Sequence, residues 1–169
     1  MTHIEVRELG QTIAYSFDDM MKYHGPGSPG GVAMSFKVLE RAFGVLSPGE
    51  PPQRREIAVR TSFGGPGARD GVEAVTRAVT GDRYTRDPTL TRPELGRERE
   101  RFVFVVTYGD RSVTLVLRDG YVTPEFIDLA RTEARTEQQD ERFTAVKAEL
   151  ADLVMRSAAA DVYDVVDDG

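Results

Sequence analysis

The chain has 169 residues, 40% of them hydrophobic, enough for one continuous core and, on length, for one domain spanning residues 1–169. Its 22 basic and 28 acidic residues give a formal charge of -6, the opposite of what a phosphate backbone attracts, and no apolar run approaches the roughly eighteen residues that a membrane span needs. It has no cysteine, which removes disulfides, thiolate metal sites and thiol nucleophiles together. A soluble, cytoplasmic protein is expected, with neither nucleic acid nor membrane as partner; the acidic, mixed N-terminus does not read as a secretion signal.

Along the chain, Ile13, Phe17, Met20, Met21 and His24 share one helical face, so the spacing predicts a helix from about Gln11 to Tyr23, stopped by Gly25. After the run Gly25-Pro26-Gly27-Ser28-Pro29-Gly30-Gly31, a second helix carries Val32, Phe36, Leu39 and Phe43 and is expected to end at Gly44. The proline-rich stretch from Ser47 to Gln53 reads as a loop. Glu56 to Phe63 alternates as a strand, Gly64-Gly65-Pro66-Gly67 forms a loop, and a helix with Ala68, Val72, Val75 and Val79 on one face follows. Thr80 to Arg101 is polar and holds Pro88 and Pro93, so a long surface excursion is expected there, a lid or an interface arm.

Phe102 to Thr107 and Ser112 to Arg118 read as a hairpin turning at Gly109-Asp110. Thr123-Pro124-Glu125 supplies an N-cap, a first-turn proline and an acid suited to the positive helix end. One helix, or two broken near Thr136, runs on to about Ser157 with Phe143, Val146, Leu150 and Leu153 inward, and Asp161 to Val166 adds a last strand.

Several motifs fail on context. Gly25, Gly27 and Gly30 spell a dinucleotide fingerprint, but a helix precedes them where a strand is required. Neither glycine loop carries the Lys-Ser/Thr of a phosphate loop, and Ser28 lacks the setting of a nucleophile elbow. With His3 and His24 the only histidines, a metal site would rest on carboxylates, and residual binding through His24, Asp70 and Glu73 ranks last among the readings; no metal and no cofactor is expected. The Gly64–Gly67 loop ahead of a helix is either a tight turn or a place for a carboxylate or phosphate on backbone N–H groups, with Arg69 adding charge.

Tyr23-His24-Gly25-Pro26-Gly27-Ser28-Pro29-Gly30-Gly31 resembles the His-Gly-His-x-Cys-Pro-Gly hallmark of the FmdE family, proteins akin to a component of formylmethanofuran dehydrogenase. His24 matches the first histidine, Pro26 replaces the second and Ser28 replaces the cysteine. Val79-Thr80-Gly81 is similar to the family's Val-Thr-Gly-Cys with Asp82 in the cysteine's place, Gly71 or a neighbour stands where a helix-start cysteine is expected, and Glu73 lies near the family's aspartate. The ending Asp161-Val162-Tyr163-Asp164-Val165 resembles Leu-Phe-Asp-Val, and the family's zinc finger is missing. The resemblance implies an α+β fold, a mixed and largely antiparallel sheet packed with helices, and a homodimer.

It also implies a shared pocket from which nearly all metal-binding side chains have gone. The first functional expectation is a metal-independent enzyme acting on a small polar or carboxylate-bearing metabolite, with His24 as general acid/base and Glu73 beside it. Ser28, Arg60, Ser62, Arg69, Asp70 and Tyr84 are the candidate ligand-binding residues, Arg69 or Arg60 being the anion anchor. The alternative is a non-catalytic small-molecule binding or accessory protein on the same scaffold. His24 is expected to project toward Ser28, Arg69 and Glu73; its bland role would be to cap the first helix.

Overall fold

The first turn of the chain departs from the helical pattern. Ile4–Glu8 (β1) and Gln11–Tyr15 (β2) form an antiparallel hairpin, with Val6 opposite Ile13, in place of the helix expected from Gln11. Its two turn residues, Leu9 and Gly10, both have positive φ (52° and 77°), the twist that matches a tight hairpin. Helix α1 is therefore short, Phe17–His24, and starts at a capping box: Asp19 N–H donates to the Ser16 hydroxyl at 3.1 Å and Ser16 N–H to the Asp19 carboxylate at 2.9 Å. The computed structural model describes residues 2–166.

Helix α2, Pro29–Leu46, is the centre of the molecule, with Val32 through Leu39 buried as an unbroken run. It passes Gly44 without breaking. Gly44 has no positive φ, and the helix ends one turn later at Ser47. Strand β3, Ile57–Thr61, leads through Ser62–Gly65 to α3, Pro66–Thr76, and then to β4, Tyr84–Arg86, which pairs parallel to β3. The segment expected as a surface excursion thus contributes an edge strand. Val79 lies beyond α3, which stops where Arg77 takes the left-handed conformation (φ 56°).

The hairpin β5 (Val103–Tyr108) and β6 (Arg111–Leu117) turns at Gly109-Asp110 as expected, with Gly109 at φ 62°. Thr123 caps α4, Pro124–Arg131, and the break at Thr136 is the capping box of α5, Glu137–Met155. A single turn, α6 (Ala159–Val162), precedes β7, Tyr163–Val166. The sheet order β4-β3-β5-β6-β7 is antiparallel apart from β3–β4, an α+β fold with a largely antiparallel sheet. The core lies between sheet and helices, where Phe36, Leu39, Ile57, Phe104, Leu115 and Tyr163 are closed to solvent.

Two glycines set how closely α2 and α3 cross. A Cβ on Gly67 would sit 2.5 Å from the Ser28 carbonyl, and one on Gly71 would fall inside Ser35 Oγ and 3.0 Å from Met20 Cε. Such contact lets the N-termini of α2 and α3 meet side by side. The C-terminal end of α3 is pinned by arginines: Arg54 donates to the carbonyls of Ala74 (2.8 Å) and Val75 (2.9 Å) while pairing with Glu8, and Arg83 donates to those of Ile57, Thr76 and Arg77. In α5, Val146, Leu150, Ala151 and Val154 face the core. Phe143, expected inward, is half-buried at the rim, edge-on to Phe126 at 5.6 Å.

Candidate functional site

Helices α2 and α3 begin alike. Each has proline at its first position, no acid in its first turn and no side-chain cap, so N–H groups at both ends lack the usual side-chain acceptor. Because the two ends meet, Gly30, Gly31 and Gly67 of their first turns line one cavity of about 380 Å³. Ser28, Gly30, Gly31 and the Gly64–Gly67 segment form one side, and Phe63, Phe102, Phe126 and Ile127 give it an apolar wall. Phe63 stacks on Phe102 with centroids 4.4 Å apart, which fixes that wall.

The remaining lining is cationic, Arg86, Arg97, Arg101, Arg131 and Lys147, and no aspartate or glutamate lines the cavity among the described residues. Arg97 pairs with Asp128 at 2.5 Å and Arg131 with Glu100 at 3.7 Å, so those charges are partly compensated from behind. Lys147 donates to the Gly27 carbonyl at 2.8 Å and lies over the Phe143 ring; desolvation, then repulsion from Arg135, lowers its pKa. The Arg86 and Arg101 guanidinium groups have no hydrogen-bond or ion-pair partner among the described residues. This arrangement can hold an anion in a partly apolar setting.

Behind the Gly25–Ser28 loop lies a second feature. The C-cap Gly25, at φ 90°, ends α1 and leaves His24 turned inward, its side chain 7% exposed. His24 Nδ1 is 2.7 Å from the Asp70 carboxylate on α3, while Nε2 is buried with no partner among the described residues. A Cβ on Gly27 would stand 3.9 Å from that Nε2. An imidazole whose Nδ1–H is held by a carboxylate keeps a lone pair at Nε2, the arrangement of a general base.

The expected residues are only partly gathered. His24 and Asp70 meet, Ser28 lines the large cavity, and Arg69 and Tyr84 line a smaller cavity across the Gly64–Gly65 segment. Glu73 does not converge on His24. It is 5% exposed and accepts from Thr80 N–H (2.9 Å), Thr80 Oγ (2.6 Å) and Arg77 Nε (3.0 Å), closing the turn after α3. Burial raises its pKa, but these bonds outweigh burial and hold the carboxyl below its ordinary value. Since Glu73 is taken up by that turn, the metal set His24, Asp70 and Glu73 does not form, and among the described residues no group of three or more such side chains is placed to hold an ion.

Arg60 lies on the opposite sheet face, across from Val105, paired with Asp87 at 3.0 Å. Ser62 is buried and donates to the Arg101 carbonyl at 2.8 Å, which ties the neighbouring loop to the end of β3. Sequence reasoning passed over Arg86, Arg101, Lys147 and the Phe63–Phe102 stack. Arg86 alone left a signal, standing two residues from Tyr84 in a strand and therefore on its face. No family model matches the chain, and no curated protein matches it.

Proposed function

We propose that the chain binds a small metabolite with an anionic head and an apolar body in the cavity between the N-termini of α2 and α3. The observation that carries this is the lining: Arg86 and Arg101 without partners and no carboxylate among the described residues, the first turns of two side-chain-uncapped helices, and a wall of phenylalanines. In a chain with net charge -6, cations left unpaired around one cavity are the reverse of what composition favours. On the proposed kinship with the FmdE family, this is the reactive loop with its second imidazole and its thiolate replaced by Pro26 and Ser28, so binding survives where metal ligation has been lost.

Melting the protein with 3-phenylpropionate or phenyl phosphate, each beside its neutral amide or alcohol analogue, tests the proposal. A ligand at about a hundred times its Kd stabilises by about 2.7 kcal/mol, or roughly 5–10 °C for a chain of this size. The anions should raise Tm, the neutral analogues should not, and Arg101→Gln should remove the shift. Equal shifts from acid and amide, or none from any anion, would end this reading.

His24 favours a second reading, metal-independent proton transfer on the bound ligand. Its Nδ1 faces Asp70 and its Nε2 has no partner among the described residues, so Asp70 is a positioning residue and His24 the acid/base. Gly27 covers that atom, so a ligand reaches it only when the Gly25–Ser28 loop shifts. With two histidines in the chain, ring ¹⁵N spectra resolve His24 directly, and the tautomer protonated at Nδ1 is expected. A proton found on Nε2 in the neutral ring would remove the base.

A further inference from the structure

Across the Gly64–Gly65 segment from the large cavity lies a second one of about 280 Å³, lined by Phe63, both glycines, Arg69, Tyr84 and Arg86. The two share Phe63, Gly64, Gly65 and Arg86. Arg86 lies flat on the divide, since a Cβ on Gly64 would stand 2.6 Å from its Cζ and Nη1. One guanidinium therefore borders both spaces.

Tyr84 comes from β4, where it pairs with Val59 on the sheet's edge. Its hydroxyl oxygen is buried and has no partner among the described residues. Burial pushes its pKa up to about 12, against weaker opposing effects of Arg69 and Arg86, so the group remains a phenol with a proton to donate. Arg69, in the first turn of α3, and Arg86, two residues from Tyr84, flank it, and neither guanidinium has a carboxylate or carbonyl partner among the described residues. Three donors without an acceptor converge here, two of them charged. A neutral alcohol or amide would leave both charges uncompensated, whereas an oxyanion accepts from all three.

We propose that this smaller cavity is a second oxyanion subsite of the same binding site, so that the ligand carries two acidic groups, one on each side of the Gly64–Gly65 divide. The proposal rests on the reading of the larger cavity given above and adds the ligand class: a dicarboxylate, or a carboxylate joined to a phosphate. Arg86 bridges the two heads, Arg101 and the helix N-termini hold the first, and Tyr84 with Arg69 holds the second.

Calorimetric titration with succinate, glutarate, adipate and pimelate, each beside the monoacid of the same carbon number, tests it, with 3-phosphonopropionate run against succinate to tell a phosphorus oxyanion from a carboxylate. At least one diacid should bind about tenfold or more tighter than its monoacid, the scale of one added charge-assisted contact. Tyr84→Phe and Arg69→Gln should each bring that diacid back toward the monoacid's affinity while leaving the monoacid unchanged; Arg101→Gln should weaken both. Melting curves without ligand confirm that each variant is folded. If monoacids bind and no diacid or phosphonate improves on them, or if the Tyr84 and Arg69 variants keep the diacid's advantage, the second subsite is refuted and the first stands. If no acid binds at all, the first reading falls and this one with it.

Discussion

Replacing Gly71 with alanine separates intrinsic helix propensity from the close crossing that shapes the site. Propensity alone favours the change, since alanine inside a helix is worth about 1 kcal/mol over glycine. Packing opposes it. The new methyl would overlap Ser35 Oγ and stand 3.0 Å from both Ser35 Cβ and Met20 Cε, and Ser35 and Met20 are fully buried. Turning the Ser35 hydroxyl aside breaks its 2.7 Å bond to the Val32 carbonyl, worth about 1 kcal/mol, and overpacking costs a further ~1–3 kcal/mol. Set against the propensity gain, the net loss is about 2 kcal/mol, or roughly 4–8 °C in Tm for a chain of this length. Urea and thermal unfolding of Gly71→Ala, Ser35→Ala and the double variant provide the assay, and removing the hydroxyl should return at least half of the loss. An alanine variant as stable as the parent, or more stable, would refute the crossing geometry and the meeting of helix ends built on it.

Two further outcomes follow from ionisable groups. Glu73→Gln should cost about 1–3 kcal/mol at neutral pH by weakening the bonds from Thr80 and Arg77. Because the folded carboxyl titrates below its ordinary 4.5, that stability is present above pH 4.5 and lost as pH falls through the folded value, so the gap between parent and variant should narrow in acid melts; a gap that stays constant as pH falls below 4.5 would contradict it. Tyr84 has the opposite sign: its phenol rises from 10.0 to about 12, so stability is complete below pH 10 and declines as pH climbs toward 12, by about 2–3 kcal/mol at ~1.4 kcal/mol per unit. Tyr84→Phe should lack that decline between pH 9 and 11.5, and Tyr163, also raised by burial, is common to both proteins and cancels. Identical alkaline profiles would show that the hydroxyl is not buried.

Turn chemistry decided which elements could be read from the sequence. Gly109-Asp110 and Thr123-Pro124-Glu125 state their geometry locally, and β5–β6 and α4 lie where that chemistry puts them. The first hairpin did not, because its tight turn places Leu9, a poor residue for positive φ, beside Gly10, while Ile13, Phe17 and Met20 happen to match a helical face. Gly44 was misleading in the opposite way: a glycine stops a helix only where the backbone turns left-handed, and here Phe43 and Leu46 are both buried, holding the last turn in place.

The site divides along the same line. His24 and Ser28 could be picked out because they stand in a glycine-rich break between two expected helices that resembles a family hallmark, and Asp70 because it lies near the start of the helix expected to face that break. Arg86 and Arg101 stand 15 positions apart in a polar segment, and only the pairing of β4 with β3 and the Ser62 bond to the Arg101 carbonyl bring them to one cavity. Tertiary placement also engages residues that looked chemical: Glu73 closes the turn after α3, and Arg60 pairs with Asp87. The buried polar atoms left without partners among the described residues, His24 Nε2 and Tyr84 Oη, lie beside the N-terminal half of α3, where Asp70 faces His24 and Arg69 lines the cavity of Tyr84. Unpaired buried groups are costly to a fold, and their concentration around one helix start, beside unpaired arginines, is the arrangement a ligand would satisfy. Gly67 and Gly71, whose missing side chains let α2 and α3 cross closely, lie in the same stretch of α3, so that crossing and the two orphaned groups share one piece of backbone.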